Sequence, residues 1–112
     1  MKVLHLMRGR KCSWHYHKQK DETFYVAEGR VWISFFPRQM WEDEIECPSD
    51  NFLDLLSQRR LMTYPKFEYG PNSFLRIPPF TLHRFEGLTN AKIIEASTYS
   101  DDSDSFRLVP AE

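Results

Sequence analysis

The chain has 112 residues, a net charge of −1, four histidines and two cysteines. That length sets one domain, residues 1–112, with one modest core, and the absence of a basic stripe argues against a nucleic-acid partner. No apolar run approaches the roughly 18 residues of a membrane span, and the opening Met1-Lys2-Val3-Leu4-His5-Leu6 has no signal-peptide core, so a cytoplasmic protein away from membranes is expected.

Val3 to Met7 reads as a strand, followed by a turn at Arg8 to Lys11. Ser13 to His17 alternates in strand fashion, which puts His15 and His17 on one face and Trp14 and Tyr16 on the other. Lys18 to Asp21 is a polar turn. Thr23 to Ala27 is a β-branched and aromatic strand, and Glu22, Phe24 and Val26 share one of its faces. Glu28-Gly29 turns the chain into a strand from Arg30 to Phe36. Between Pro37 and Tyr64 the pattern is weakest. Ser49 is placed to N-cap a short helix from Asp50 to Arg60, with acids early and arginines late; covering a barrel, contacting a substrate and mediating dimerisation are all open to this stretch.

Lys66 to Tyr69 and Phe74 to Ile77 read as strands, separated by the turn Gly70-Pro71-Asn72. Leu82 to Phe85 and Lys92 to Thr98 read as a hairpin closed by Gly87 to Asn90. A polar tail, Ser100 to Ser105, leads to Phe106 to Val109, a last short strand or an extended arm. Aromatic residues make up 15% of the chain and prolines fall between apolar runs, which favours an all-β chain rich in turns. Cys12 and Cys47 have a poor spacing for a zinc knuckle; reduced thiols suit a cytoplasmic protein, and a disulfide between them stays open.

Laid over these strands is the pattern Gly-x5-His-x-His-x4-Glu-x6-Gly, formed by Gly9, His15, His17, Glu22 and Gly29. Pro78-x4-His83 follows downstream. Two histidines, a carboxylate and a third histidine can hold one divalent metal, Mn, Fe, Co, Ni or Zn, and leave positions open for substrate. His5 lies outside the pattern and reads as structural. Satisfied core or surface histidines are the plainer alternative for the other three.

The first pattern resembles the first motif of the cupin superfamily in every defining position. The second cupin motif, Gly-x5-Pro-x-Gly-x2-His-x3-Asn, is matched at Pro78 and His83. Asn72 stands at its first Gly, Phe80 at its second and Gly87 at its Asn. Asn tolerates a left-handed backbone; Phe80 predicts an altered turn, with a ring that reaches toward the pocket. The resemblance implies an all-β jelly-roll barrel with a metal in its mouth, held by His15, His17, Glu22 and His83. An isolated barrel this short exposes apolar surface, so a homodimer is expected.

Ile77 to Phe85 and Glu95 to Asp102 resemble the second half of sugar-isomerase cupins, the D-lyxose isomerases and the cupin domains of phosphomannose isomerases. That resemblance implies aldose–ketose isomerisation of a sugar or sugar phosphate through a metal-supported enediol. Lys20 and Glu95 are then the proton-moving candidates. On the residues alone, Lys20 is either a pocket acid, base or anion hook, or a solvated turn lysine. Glu95, a lone acid in an apolar strand, is either a barrel-interior base or a rim carboxylate paired with an arginine. Arg76 and Arg84 are candidates for a phosphate or sugar hydroxyl, although alternation turns Arg84 away from His83. Tyr16, Tyr25, Trp32 and Phe80 are candidates to stack on a sugar. A non-catalytic sugar-binding or sensing cupin, a dioxygenase and a nucleotide-sugar epimerase are the alternatives.

Overall fold

The computed structural model describes residues 1–36, 66–98 and 102–112. The short helix expected after Ser49, and Cys47, lie outside the described residues. Among the described residues the elements are β1 (Lys2–Leu6), β2 (Trp14–His17), β3 (Glu22–Glu28), β4 (Val31–Phe36), β5 (Lys66–Tyr69), β6 (Phe74–Ile77), β7 (Leu82–Gly87), β8 (Ala91–Ser97), a 3-10 turn at Asp102–Asp104, and β9 (Ser105–Val109). One sheet has the order β1-β8-β3-β6 and the other β5-β4-β7-β2-β9, with every strand pair antiparallel. Among the described residues no helix is long and apolar enough to cross a membrane.

Each expected strand is present to within a few residues, because alternating burial is a strong local signal. β3 shows it well: Glu22, Phe24 and Val26 are buried while Thr23 is exposed. The inner faces of the two sheets meet in a core of Phe24, Val26, Val31, Ile33, Ile77, Phe85, Ala91 and Ile93. Burying each of its larger side chains contributes about 1.5–3 kcal/mol.

Two expectations need correction. β7 and β8 are not a hairpin: β7 pairs with β4 and β2 in one sheet, and β8 with β1 and β3 in the other. The end of β7 is tied instead to the first turn, through Gly9 N–H to the Gly87 carbonyl (2.8 Å) and Gly87 N–H to the Arg10 carbonyl (3.0 Å), so the chain crosses between sheets at Gly87 to Asn90. The second correction is Phe80, which is half-buried and stacks beside Tyr16 with ring centroids 6.5 Å apart. Its ring does not line the central cavity.

The four positions at which the two motifs ask for glycine share a left-handed backbone. Gly9, Gly29, Asn72 and Phe80 have φ of 79°, 77°, 69° and 60°. Phe80 therefore adopts a glycine conformation at a cost of about 1–2 kcal/mol, and its N–H donates to the His17 carbonyl at 2.7 Å.

Candidate active site

The two sheets splay around a cavity of about 710 Å³. His15 and His83 face each other across β2 and β7, and alternation puts His17 beside them. Glu22 and Phe24 come from β3, and Glu95 sits opposite Phe24 on β8, on the same inner face. One sheet thus supplies imidazoles and the other carboxylates. Lys20 reaches in from the turn between β2 and β3. Lys2, Ser105 and Arg107 complete the polar wall, and Phe24 and Phe85 the apolar one.

The backbone fixes the histidines' chemistry. His15 Nδ1 bonds the Ser13 carbonyl at 2.8 Å, His17 Nδ1 the Asp104 carbonyl at 3.0 Å, and His83 Nδ1 the Thr81 carbonyl at 2.8 Å. A carbonyl only accepts, so each ring donates from Nδ1, and a neutral ring then presents a bare Nε2 lone pair. The ligating atoms of the three rings fall within 4.8 Å of one another. His15 is kept neutral because burial, helped by neighbouring His83, lowers its pKa to about 3.

Glu22 adjoins this group, with Oε1 3.2 Å from His17 Nε2 and Oε2 3.4 Å from His83 Nε2. Burial pushes its carboxyl up, but His17 and His83 outweigh that and hold it below the usual carboxylate range. His17 Nε2, His83 Nε2 and Glu22 Oε2 are nonetheless buried without a hydrogen-bond partner. In the neutral Nδ1–H form of the rings these contacts set lone pairs against lone pairs at ion-pair distance, and a proton on Nε2 or a shared cation relieves that. A cation among them would turn the repulsion into attraction, so the residues present fit a metal.

Lys20 is buried, at 7% exposure, which overturns its reading as a solvated turn lysine. Its Nζ lies 3.1 Å from Glu22 Oε1 and 3.0 Å from Glu95 Oε2. Burial pulls the lysine pKa down, but Glu95 and Glu22 more than offset it, so the ammonium stays charged. Glu95 accordingly sits in the barrel interior, paired with Lys20, and not at the rim with an arginine. Its Oε2 has no aligned hydrogen bond even at this distance from Nζ.

The other candidates lie elsewhere. Arg76 is exposed and paired with Asp21. Arg84 is buried on the far side of its strand, donating to the carbonyls of Cys12 (2.7 Å) and Pro110 (3.0 Å). Tyr16, Tyr25 and Trp32 do not line the cavity, whereas Phe24 and Phe85 do. His5 is exposed, and Cys12 is a free thiol whose pKa burial pushes up. Sequence reasoning missed Asp104, Lys2, Ser105 and Arg107. The polar tail holds Asp101, Asp102 and Asp104, and nothing in a run of acids ranks one above another.

Sheet order, glycine-type turns and the position of the site together define the cupin fold. No protein-family model matches the chain, and no curated protein matches it in sequence. Solved structures do match. QdtA, a sugar 3,4-ketoisomerase from Thermoanaerobacterium thermosaccharolyticum in complex with TDP, superposes with a TM-score of 0.63 at 15% identity, over 95% of this chain and 65% of that one. A cupin superfamily protein from Desulfitobacterium hafniense DCB-2 matches with a TM-score of 0.57 at 15% identity, over 88% of this chain and 64% of that one. The dTDP-4-dehydrorhamnose 3,5-epimerase from Sulfolobus tokodaii matches with a TM-score of 0.64 at 19% identity, over 95% of this chain and 55% of that one. At these identities the likeness establishes the fold. The chain spans less than two thirds of the length of each of these proteins.

Proposed function

We propose that this chain is a sugar-modifying cupin, an aldose–ketose isomerase of a sugar or sugar phosphate that works with one divalent transition metal. His15, His17 and His83 would hold the metal, with Glu22 as the fourth candidate ligand. The observation that carries this reading is the convergence of three Nε2 lone pairs, fixed by backbone carbonyls, on a cavity that also holds an acid–lysine–acid cluster.

A bound metal supplies a Lewis acid that polarises a carbonyl oxygen. The chain's own residues do the rest. Isomerisation moves one proton from the carbon beside the carbonyl to the carbonyl carbon and one from that carbon's hydroxyl to the carbonyl oxygen, and needs no outside oxidant. Glu95 is the group to carry the first of these protons, since Oε2 is buried and unaligned with any donor. Lys20 stays protonated and balances the two carboxylates, so it acts as a cation and not as a base. Phe24 and Phe85 exclude water from one wall. Lys2 and Arg107 line the cavity and have no ion-pair partner among the described residues, which suits a phosphorylated substrate.

A metal-free nucleotide-sugar isomerase or epimerase is the second reading, favoured by the activities named for the neighbouring folds. Elemental analysis of untagged protein separates the two, with the His15→Ala/His83→Ala double variant as control. Incubation in D2O with aldose–ketose pairs and with dTDP-sugars then reads proton transfer as deuterium incorporation. About one metal ion per chain, lost in the variant, together with deuterium in an aldose or ketose supports the metal isomerase. No metal, none taken up on titration, and deuterium only in a dTDP-sugar would select the second reading. No incorporation in any sugar leaves a sugar-binding barrel.

A further inference from the structure

Of the three histidines, two take their Nδ1 acceptor locally, two residues back, from the residue just before their own strand: His15 from Ser13 and His83 from Thr81. His17 differs. Its acceptor is the carbonyl of Asp104, 87 residues away in the C-terminal 3-10 turn.

The Asp104 side chain is buried, at 5% exposure, and is fully used. Oδ1 accepts from the backbone N–H of Lys18 (3.0 Å) and of Gln19 (3.2 Å). Oδ2 accepts from the N–H of Gln19 (3.1 Å) and of Lys20 (3.0 Å). Three consecutive amides wrapped around one carboxylate form an anion nest that fixes a turn. That turn points Lys20 at Glu22 and Glu95. Immediately after Asp104, Ser105 pairs with His17 across β9 and β2.

We propose that Asp104 is the positioning residue of this site: its carboxylate sets the turn that aims the Lys20 ammonium, and its carbonyl sets the ring of His17. The site is then assembled only when the C-terminal segment docks. The His17 half of this inference rests on the metal reading above; the ring geometry itself does not.

Asp104→Ala and Asp104→Asn in the full chain test it. The first readout is the tautomer of each histidine ring in metal-free protein, from long-range 1H–15N correlations. The second is the Kd for Zn2+ in competition with a chelator. Asp104→Ala should move His17 from the Nδ1–H form to a mixture while His15 and His83 stay unchanged, and should weaken Zn2+ about 10- to 100-fold. Asp104→Asn keeps one acceptor oxygen and should fall between Ala and wild type; as the isosteric change it carries the test if Asp104→Ala fails to fold. A residue that merely closes a turn would lower Tm and raise amide exchange at residues 18–20 without touching the His17 ring. That outcome, with Zn2+ affinity within about twofold of wild type in both variants, overturns the proposal. Failure of the wild type to bind Zn2+ sinks the metal reading alone, because the ring signals still decide the role of Asp104.

Discussion

Replacing Lys20 by Met removes an ammonium that stands 3.1 Å from one buried carboxylate and 3.0 Å from another. At an effective dielectric near 20, each contact is worth roughly 5 kcal/mol of attraction, and desolvation of the ammonium cancels much of it. Truncating one partner of such a buried cluster leaves uncompensated charge and costs about 3–5 kcal/mol. For a domain of this size that lowers Tm by about 10–25 °C. The sign of the pH dependence is a sharper check. Without Lys20, Glu22 loses a cation 3.1 Å away, so its carboxyl is held down less than in wild type. A carboxylate whose folded pKa is raised gains stability as pH falls. The deficit of Lys20→Met relative to wild type should therefore be largest near pH 7 and shrink only as pH falls through the carboxylate range, toward about pH 3. Urea unfolding of both proteins at the two pH values, with EDTA present, measures it. A deficit under about 1 kcal/mol at pH 7, or one equal at both pH values, would show that Lys20 does not balance the two acids.

His15 gives a second pH test. Its folded pKa is lowered to about 3, against about 6.5 unfolded, so the unfolded chain binds the extra proton first and stability is lost as pH falls below about 6.5. At pH 5 the native ring is still neutral, and the loss from this residue is roughly 2 kcal/mol; His15→Gln should flatten that part of the stability profile, and an unchanged slope would refute the assignment. Phe80 gives a backbone test. Its φ of 60° suits glycine, so Phe80→Gly should be more stable than Phe80→Ala by about 1 kcal/mol, the reverse of the usual order in a strand or helix. Thermal melts of the two variants decide it, and Ala above Gly would mean that the turn relaxes.

The sequence carries the barrel and the site unevenly, and the division has a physical basis. Period-two alternation states which side chains share a face, so the pairing of His15 with His17, and of Glu22 with Phe24, is legible in the residues alone. Alternation does not state which sheet a strand joins. That is why β7 and β8, adjacent in sequence, read as a hairpin although they lie in different sheets. The motif spacing identifies the left-handed turns at Gly9 and Gly29, and even the departures from it, Asn72 and Phe80, keep the backbone the motif requires. The direction of the Phe80 ring is not legible, since a φ angle does not fix where a side chain packs. The burial of Lys20 is not legible either. A lysine between Gln19 and Asp21 looks solvated until the Asp104 carboxylate, 84 residues away, folds the turn inward.

A buried acid–lysine–acid cluster is a poor way to stabilise a small barrel, and this separates a functional site from a structural one. Lys20, Glu22 and Glu95 sum to a net −1, so the folded state encloses charge that the unfolded chain leaves in water. Replacing a whole buried ionic cluster with apolar groups of similar volume is often neutral, or stabilising by about 1–4 kcal/mol. The triple variant Lys20→Met/Glu22→Leu/Glu95→Leu should therefore melt at or above wild type even though Lys20→Met alone melts far below it. Proton exchange into any sugar should be lost in the same protein. If the triple variant is instead destabilised by as much as the sum of its three single variants, the cluster is a structural brace for the β2–β3 turn, and Glu95 loses its claim to be the group that moves the proton.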